Sequence, residues 1–180
     1  MRIVSGELEI REFGTQDEDQ VTAFLAAGDR TALPPVCPAT PDEVAGWLAE
    51  TVHQHRLDGR GVHLVMVESG SGEIVGSIGL RDADAGSCEI GYGVRAGRRG
   101  RGYATEAARA VSRWALVEGG MRRVQLHARV DNVASLRAAE RAGFHREGTL
   151  RMAEWEDGEA HDLAVFSMIV TDLETAAAPS

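Results

Sequence analysis

Lysine is missing from this chain altogether: all 19 of its basic residues are arginine. That absence excludes the Walker phosphate loop, whose glycine-rich turn must end in lysine followed by serine or threonine. Cysteine is nearly absent too. Cys37 and Cys88 are too few and too isolated for a disulfide framework or a zinc site, so reduced thiols and no metal are expected. No apolar run approaches membrane-spanning length, and the opening Met-Arg-Ile-Val-Ser-Gly-Glu is too polar for a signal peptide. The expectation is a cytoplasmic protein with no membrane partner. Basic surface is also short: 28 acidic residues leave a net charge of −9. This argues against nucleic acid, whose phosphates demand a basic face; it suits solubility or a cationic substrate. Asparagine occurs once, at Asn132.

What is present is enough for one domain. A chain of 180 residues, 43% hydrophobic and 26% charged, buries a core without staples. A single domain is expected over 1–174, followed by a disordered tail over 175–180. Leu8 to Arg11 alternates as a first strand, and Asp17 to Ala27 has helical spacing. A proline-rich loop, Gly28 to Ala39, then leads to the capping box Thr40 to Glu43. Val44, Trp47, Leu48 and Thr51 form the expected buried face of the helix that box opens. His53 and His55 near its end are read as surface residues beside the negative helix terminus. Val62 to Glu68, Glu73 to Arg81 and Cys88 to Val94 read as a meander of strands. After it, Tyr103 to Glu118 is a helix with Ala104, Ala107, Ala108, Val111, Trp114 and Ala115 on one face, closed by Gly119 and Gly120. Val124 to Val130 alternates cleanly, a short helix capped by Asp131 or Asn132 runs to Ala142, and Phe144 to Trp155 pairs with Ala160 to Ile169 around an Asp157-Gly158 turn.

Between the meander and the long helix lies Gly93 to Glu106, where glycines and arginines make the turn. Glycine lets backbone N–H groups crowd a ligand, and a helix N-terminus favours an anion through its unpaired donors and its dipole. Arg95, Arg98, Arg99 and Arg101 add charge suited to phosphate. The stretch reads as a pyrophosphate cradle. Gly91, Gly93 and Ala96 also spell the dinucleotide fingerprint, but that motif must open a helix directly, and here the turn continues to Gly102.

At this cradle the sequence resembles a known family. Arg99-Gly100-Arg101-Gly102-Tyr103-Ala104 is similar to the Gln/Arg-x-x-Gly-x-Gly/Ala signature of the GNAT N-acetyltransferases. Glu89 to Val94 resembles the family's fourth strand; Asp131 to Ser135, followed by Ala142-Gly143-Phe144, resembles its next landmark. Glu154 to Gly158 and His161-Asp162 resemble the branch that holds ribosomal-protein N-terminal acetyltransferases and many small-molecule acetyltransferases. The resemblance implies a mixed, twisted α/β fold of the α+β type, with about seven strands and about four helices, splayed between the fourth and fifth strands. It implies acetyl-CoA as co-substrate, held at Val94, Arg99, Gly100, Arg101, Gly102, Tyr103 and Ala104, with Asn132 and Ser135 along the pantetheine arm and Ser135 near the sulfur. It implies direct transfer of the acetyl group to a primary amine, of a protein N-terminus or a small molecule, in a ternary complex. A homodimer through the C-terminal strands follows by analogy only. Many family members carry a tyrosine four residues after this serine as the acid for the leaving thiolate; here that position is Ala139, and Ser135 or a bound water is expected to give the thiolate a hydrogen bond instead, a thiol being a good leaving group. Without the resemblance, Asn132 reads equally as a plain N-cap.

The attacking amine must be neutral. An α-amine with a pKa of about 8 needs far less help than a lysine at about 10.4, a gap worth roughly 3.4 kcal/mol. Glu89, on the same strand face as Gly91 and Gly93, is the first candidate base; His127 and Asp162 are the others. The acidic run Glu154, Glu156, Asp157 and Glu159 would recruit a cation or simply solvate a hairpin tip. Two other classes stay open: a non-catalytic acyl-CoA-binding or sensing module, and a nucleotide-binding regulator that uses the same turn.

Overall fold

The computed structural model describes residues 1–84, 86–156 and 158–175. Among the described residues eight strands form one sheet in the order β1-β2-β3-β4-β5-β6-β8-β7. They are β1 (Arg2–Ser5), β2 (Leu8–Glu12), β3 (Gly61–Glu68), β4 (Ile74–Asp84), β5 (Ser87–Val94), β6 (Arg123–Arg129), β7 (His145–Glu156) and β8 (Glu159–Met168). The helices are α1 (Glu18–Ala26), α2 (Val44–Gly46), α3 (Val52–Leu57), α4 (Tyr103–Val117), α5 (Val133–Ala142) and α6 (Val170–Thr175), with a π-helical stretch, Trp47–Thr51, fusing α2 to α3. Among the described residues no helix is long and apolar enough to cross a membrane.

Strand alternation gives the sheet two apolar faces. Cys88 and Ile90 on β5, and Val124, Leu126 and Ala128 on β6, are buried on one side. There α4 lays Ala107, Ala108, Val111 and Ala115 against them, all fully buried, and the small alanines let its backbone come close. On the opposite face Val65, Val67 and Ile74 pack with Val21 and Phe24 of α1 and with Val44, Trp47, Leu48 and Val52. The result is a three-layer sandwich.

Three elements depart from the pattern read in the sequence. Arg2–Ser5 is a further strand, turned onto β2 at Gly6, where φ is +54°, so the count is eight rather than seven. The buried face of the second helical region holds Val52 instead of Thr51, because the wider π turn admits an extra residue before the face recurs. Val170–Thr175 is helical where the chain was read as ending in a strand and a tail. The tail beyond Thr175, like Ala85 and the Asp157 of the hairpin turn, lies outside the described residues.

The feature that positions the site is the junction of β5 with β6, the one parallel pair in the order. Its register covers Ser87 with Arg123, Cys88 with Val124 and Glu89 with Gln125, and then the strands part. β5 continues on β4 as far as Gly76 opposite Val94, while β6 continues on β8 as far as Arg129 opposite Leu163. This is the splay expected between the fourth and fifth strands, moved up one by the added β1. The outer edge of the sheet is β7, exposed along its length except at Glu154. Its register breaks between Leu150 and Glu154, where Met152 adopts a φ of +51°.

Glycine at Gly93 has a packing reason. A Cβ there would stand 2.3 Å from the carbonyl oxygen of Thr31, so the loop 28–40 rests directly on β5. The close approach expected there from a ligand is made by the chain itself. Gly93→Ala must displace that loop, and a loss of about 2 kcal/mol in unfolding free energy is expected by chemical denaturation; unchanged stability would contradict this packing.

Candidate active site

On the α4 side of the gap is a cleft of about 480 Å³, walled by the end of β5, the turn before α4, the first turn of α4, and α5. Gly100 and Gly102 are left-handed, with φ of +78° and +87°, and a Cβ on either would project into open space. Gly102 is the N-cap of α4 and has no side chain to satisfy the helix's first donors. The first intrahelical bond runs from the Glu106 N–H to the Gly102 carbonyl, at 3.0 Å. The N–H groups of Tyr103, Ala104 and Thr105, residues that line the cleft, are therefore not used by the helix. Such a ring of amides suits a pyrophosphate.

The arginines divide differently from the sequence expectation. Arg98 and Arg99 line the cleft, and Arg99 donates from Nε to the Val94 carbonyl at 3.1 Å. Arg98 is also ion-paired with Glu73 and stands 3.6 Å from Glu68. Arg95 turns away, its guanidinium 4.6 Å over the Phe24 ring and 3.7 Å from Asp29. Arg101 does not line the cleft; it lies 3.8 Å from Glu68. Glu68 at the end of β3 draws this charge. Hydrogen bonds from the hydroxyls of Ser71 and Tyr103 hold its carboxyl below the usual range. The cations supplied in exchange are Arg137 and Arg141, on one face of α5, which line the cleft and which the sequence reading passed over.

Beyond the gap lies a second cleft of about 350 Å³, lined by Arg81, Glu89, Gly91, His127, Arg129, Glu154 and Glu156 among others. Glu89 accepts from Arg81 at 2.5 Å, and its other oxygen is 3.4 Å from Nδ1 of His127. Two of the three candidate bases thus meet. The third does not join them: Asp162 accepts the N–H of Met152 at 2.8 Å, which fixes the β7 bulge. Of the acidic hairpin run, Glu154 and Glu156 reach the cleft, and Glu156 is paired with Arg129 at 2.7 Å.

Tyr92, Asn132 and Ser135 line both clefts and form the seam between them. The Asn132 side chain accepts from the Ser135 N–H at 3.1 Å, so it is the N-cap of α5 as well as a wall of the site. The Tyr92 hydroxyl lies 3.1 Å from Oγ of Ser135 and donates to its carbonyl at 3.3 Å. Burial pushes the Tyr92 phenol up, partly offset by that hydrogen bond. Tyr92 was missed because its partner comes from an element 43 residues later. Of the residues assigned to the cofactor, Val94, Arg99, Gly100, Gly102, Tyr103, Ala104, Asn132 and Ser135 converge on the first cleft. Among the described residues no cluster of three or more His, Cys, Asp or Glu could hold a metal ion. A larger cavity, of about 710 Å³, lies away from the seam between β1, the end of α4 and the start of β3.

The profile of the acetyltransferase (GNAT) domain matches residues 7–145. The chain belongs to the GNAT acetyltransferase family. The matched segment holds the cradle and the seam and stops where β7 begins. An uncharacterized N-acetyltransferase, p20, of Bacillus licheniformis is 23% identical over 164 residues, covering 90% of this chain and 92% of its own length. The ribosomal-protein-serine acetyltransferase of Escherichia coli is 32% identical over 84 residues, 47% of each chain. Among solved structures, RimL, a ribosomal L7/L12 alpha-N-protein acetyltransferase in complex with coenzyme A, shares the fold with a TM-score of 0.79. It is 21% identical and the match covers 96% of this chain and 99% of that one. The microcin C7 self-immunity acetyltransferase MccE, in complex with acetyl-CoA and AMP, gives 0.77 at 19% identity, covering 91% and 93%.

The two roles of Asn132 in this GNAT domain are separable. Asn132→Ala is expected to cost about 1 kcal/mol of stability through the lost cap, and Asn132→Ser to recover most of it. Equal stability of the two variants in urea denaturation would refute the capping role.

Proposed function

We propose that the chain transfers the acetyl group of acetyl-CoA directly to a weakly basic primary amine, with both substrates bound at once across the gap between β5 and β6. The observation that carries this reading is the shared seam: two clefts of different character meet at Tyr92, Asn132 and Ser135. The first cleft fits the co-substrate, because a pyrophosphate needs the room that a Cβ at Gly100 or Gly102 would take and the amides that α4 leaves unused. Solved GNAT relatives with CoA or acetyl-CoA bound support the same assignment. Beyond Glu89, β5 has no strand on its gap side, so an amide-bearing arm can add there as an extra strand.

On the acceptor side Glu89 takes a proton from the amine, through water, with His127 beside it to spread the charge. Glu154 and Glu156 at the rim attract the cationic form of the acceptor. Peptide N-termini and small-molecule amines both meet this description; relatives named for ribosomal proteins favour the first. No acyl-enzyme is required, and neither Cys37 nor Cys88 lines either cleft. Burial pushes the Cys37 thiol up to about 11, far from a usable thiolate. The Arg81 pair on Glu89 favours one second reading, a CoA-binding module without catalysis; consumption of acetyl-CoA with any amine separates the two.

Thermal unfolding with acetyl-CoA, ATP and NAD tests the cradle. Acetyl-CoA at a hundred times its Kd is expected to add about 2.7 kcal/mol, and the other two nothing; no rise in midpoint would overturn the assignment. Gly102→Asp places an anion among the amides and is expected to abolish that rise in a folded protein. For the base, Glu89→Gln is expected to lower kcat about 100-fold while leaving the acetyl-CoA stabilisation intact. An undiminished kcat would remove Glu89 from the chemistry.

A further inference from the structure

We propose that Tyr92 is the acid of this site, supplying through Ser135 the proton that the departing thiol needs. The inference rests on the acetyl transfer proposed above. In that reaction a C–N bond forms and a C–S bond breaks. The amine nitrogen must lose one proton and the sulfur must gain one. Glu89 accounts for the loss. Ser135 offers the sulfur a hydrogen bond but no source for the proton it would lose, and Ala139 of α5 is fully buried and carries no acid.

The seam offers three side chains. Asn132 is not an acid, and its carbonyl oxygen is already taken by the Ser135 N–H. Ser135 has a hydroxyl too weakly acidic to give up its proton without replacement. Tyr92 can replace it: its one hydroxyl proton lies within reach of both the Ser135 carbonyl, at 3.3 Å, and Oγ, at 3.1 Å, and turns from the first to the second. A phenol, with a pKa of about 10, is the seam group nearest to a thiol at about 8.5. The other tyrosine of the chain, Tyr103, cannot serve, because its hydroxyl is committed to Glu68.

Alternation along β5 adds a second argument. Tyr92 shares its strand face with Cys88 and Ile90 and packs on the α4 side, whereas Glu89 lies on the opposite face. Acid and base are therefore kept apart by the strand itself. One proton leaves the amine on the acceptor face, another reaches sulfur on the cofactor face, and Tyr92 is recharged from solvent afterwards. A phenol is protonated at neutral pH, and burial pushes this one further up.

The test compares wild type, Tyr92→Phe and a protein carrying fluorotyrosine at position 92, each with acetyl-CoA and a free primary amine that screening shows the wild type to acetylate. Tyr92→Phe is expected to lower kcat about 100-fold with acetyl-CoA stabilisation unchanged. A proton donor works only below its pKa, so the wild-type rate must fall as pH rises through that of the phenol. Fluorination, which makes the phenol more acidic, must move that fall to lower pH, and the phenylalanine variant must lack it. A phenylalanine variant as fast as wild type, or a fluorinated protein with an unmoved pH profile, overturns the assignment of Tyr92 while leaving acetyl transfer standing. A wild-type protein that binds acetyl-CoA and acetylates no amine overturns the transfer reading and the acid with it.

Discussion

Three residues of parallel pairing hold the two halves of the sheet together, and everything chemical depends on their being so few. Ser87, Cys88 and Glu89 bind β6, and beyond them β5 has a neighbour on one edge only. Backbone donors and acceptors left unpaired must be met by water or by a ligand, since burying them empty is costly. The gap is therefore stable only as a wet or a filled site. Its arms stay rigid because each is hydrogen-bonded to an outer strand, β4 or β8, for the whole length over which they diverge.

The electrostatics of the cradle follow from a competition. A chain with an acidic excess cannot leave its arginines idle, and Glu68 and Glu73 claim Arg98 in part while Arg101 leans on Glu68. The backbone amides at the start of α4 are a second source of positive charge, left free by the helix's own carbonyls. These are fixed partial charges that need no reorganisation when an anion arrives. Arg137 and Arg141, on a separate helix, then add mobile charge at the same mouth.

Local chemistry was legible in the sequence and long-range pairing was not. The alternation of β6, the alanine face of α4, the glycine turn before α4 and a cap at Asp131 or Asn132 each depend on a few neighbouring residues, and each appears where the pattern puts it, the cap at Asn132. The family resemblance placed Glu89 and Ser135 at one gap. Hidden from the sequence were the partners chosen across the fold: Arg95 on Phe24, Asp162 on Met152, Tyr92 on Ser135, Thr31 on Gly93. The added β1 and the π turn were hidden for a different reason. A four-residue strand carries too little alternation to read, and a one-residue change of helical pitch leaves apolar spacing almost intact.

The bulge at Met152 has a consequence for the protein in a crowded solution. A long strand with one free edge invites a neighbouring molecule to extend the sheet, the first step of ordered aggregation. β7 is such a strand, with Leu150, Met152 and Trp155 all exposed. By turning one residue left-handed and spending its N–H on Asp162, the chain breaks the run of evenly spaced backbone groups into two short pieces. Neither piece is a good template. The carboxylate of Asp162 thereby holds the interruption in the edge strand in place.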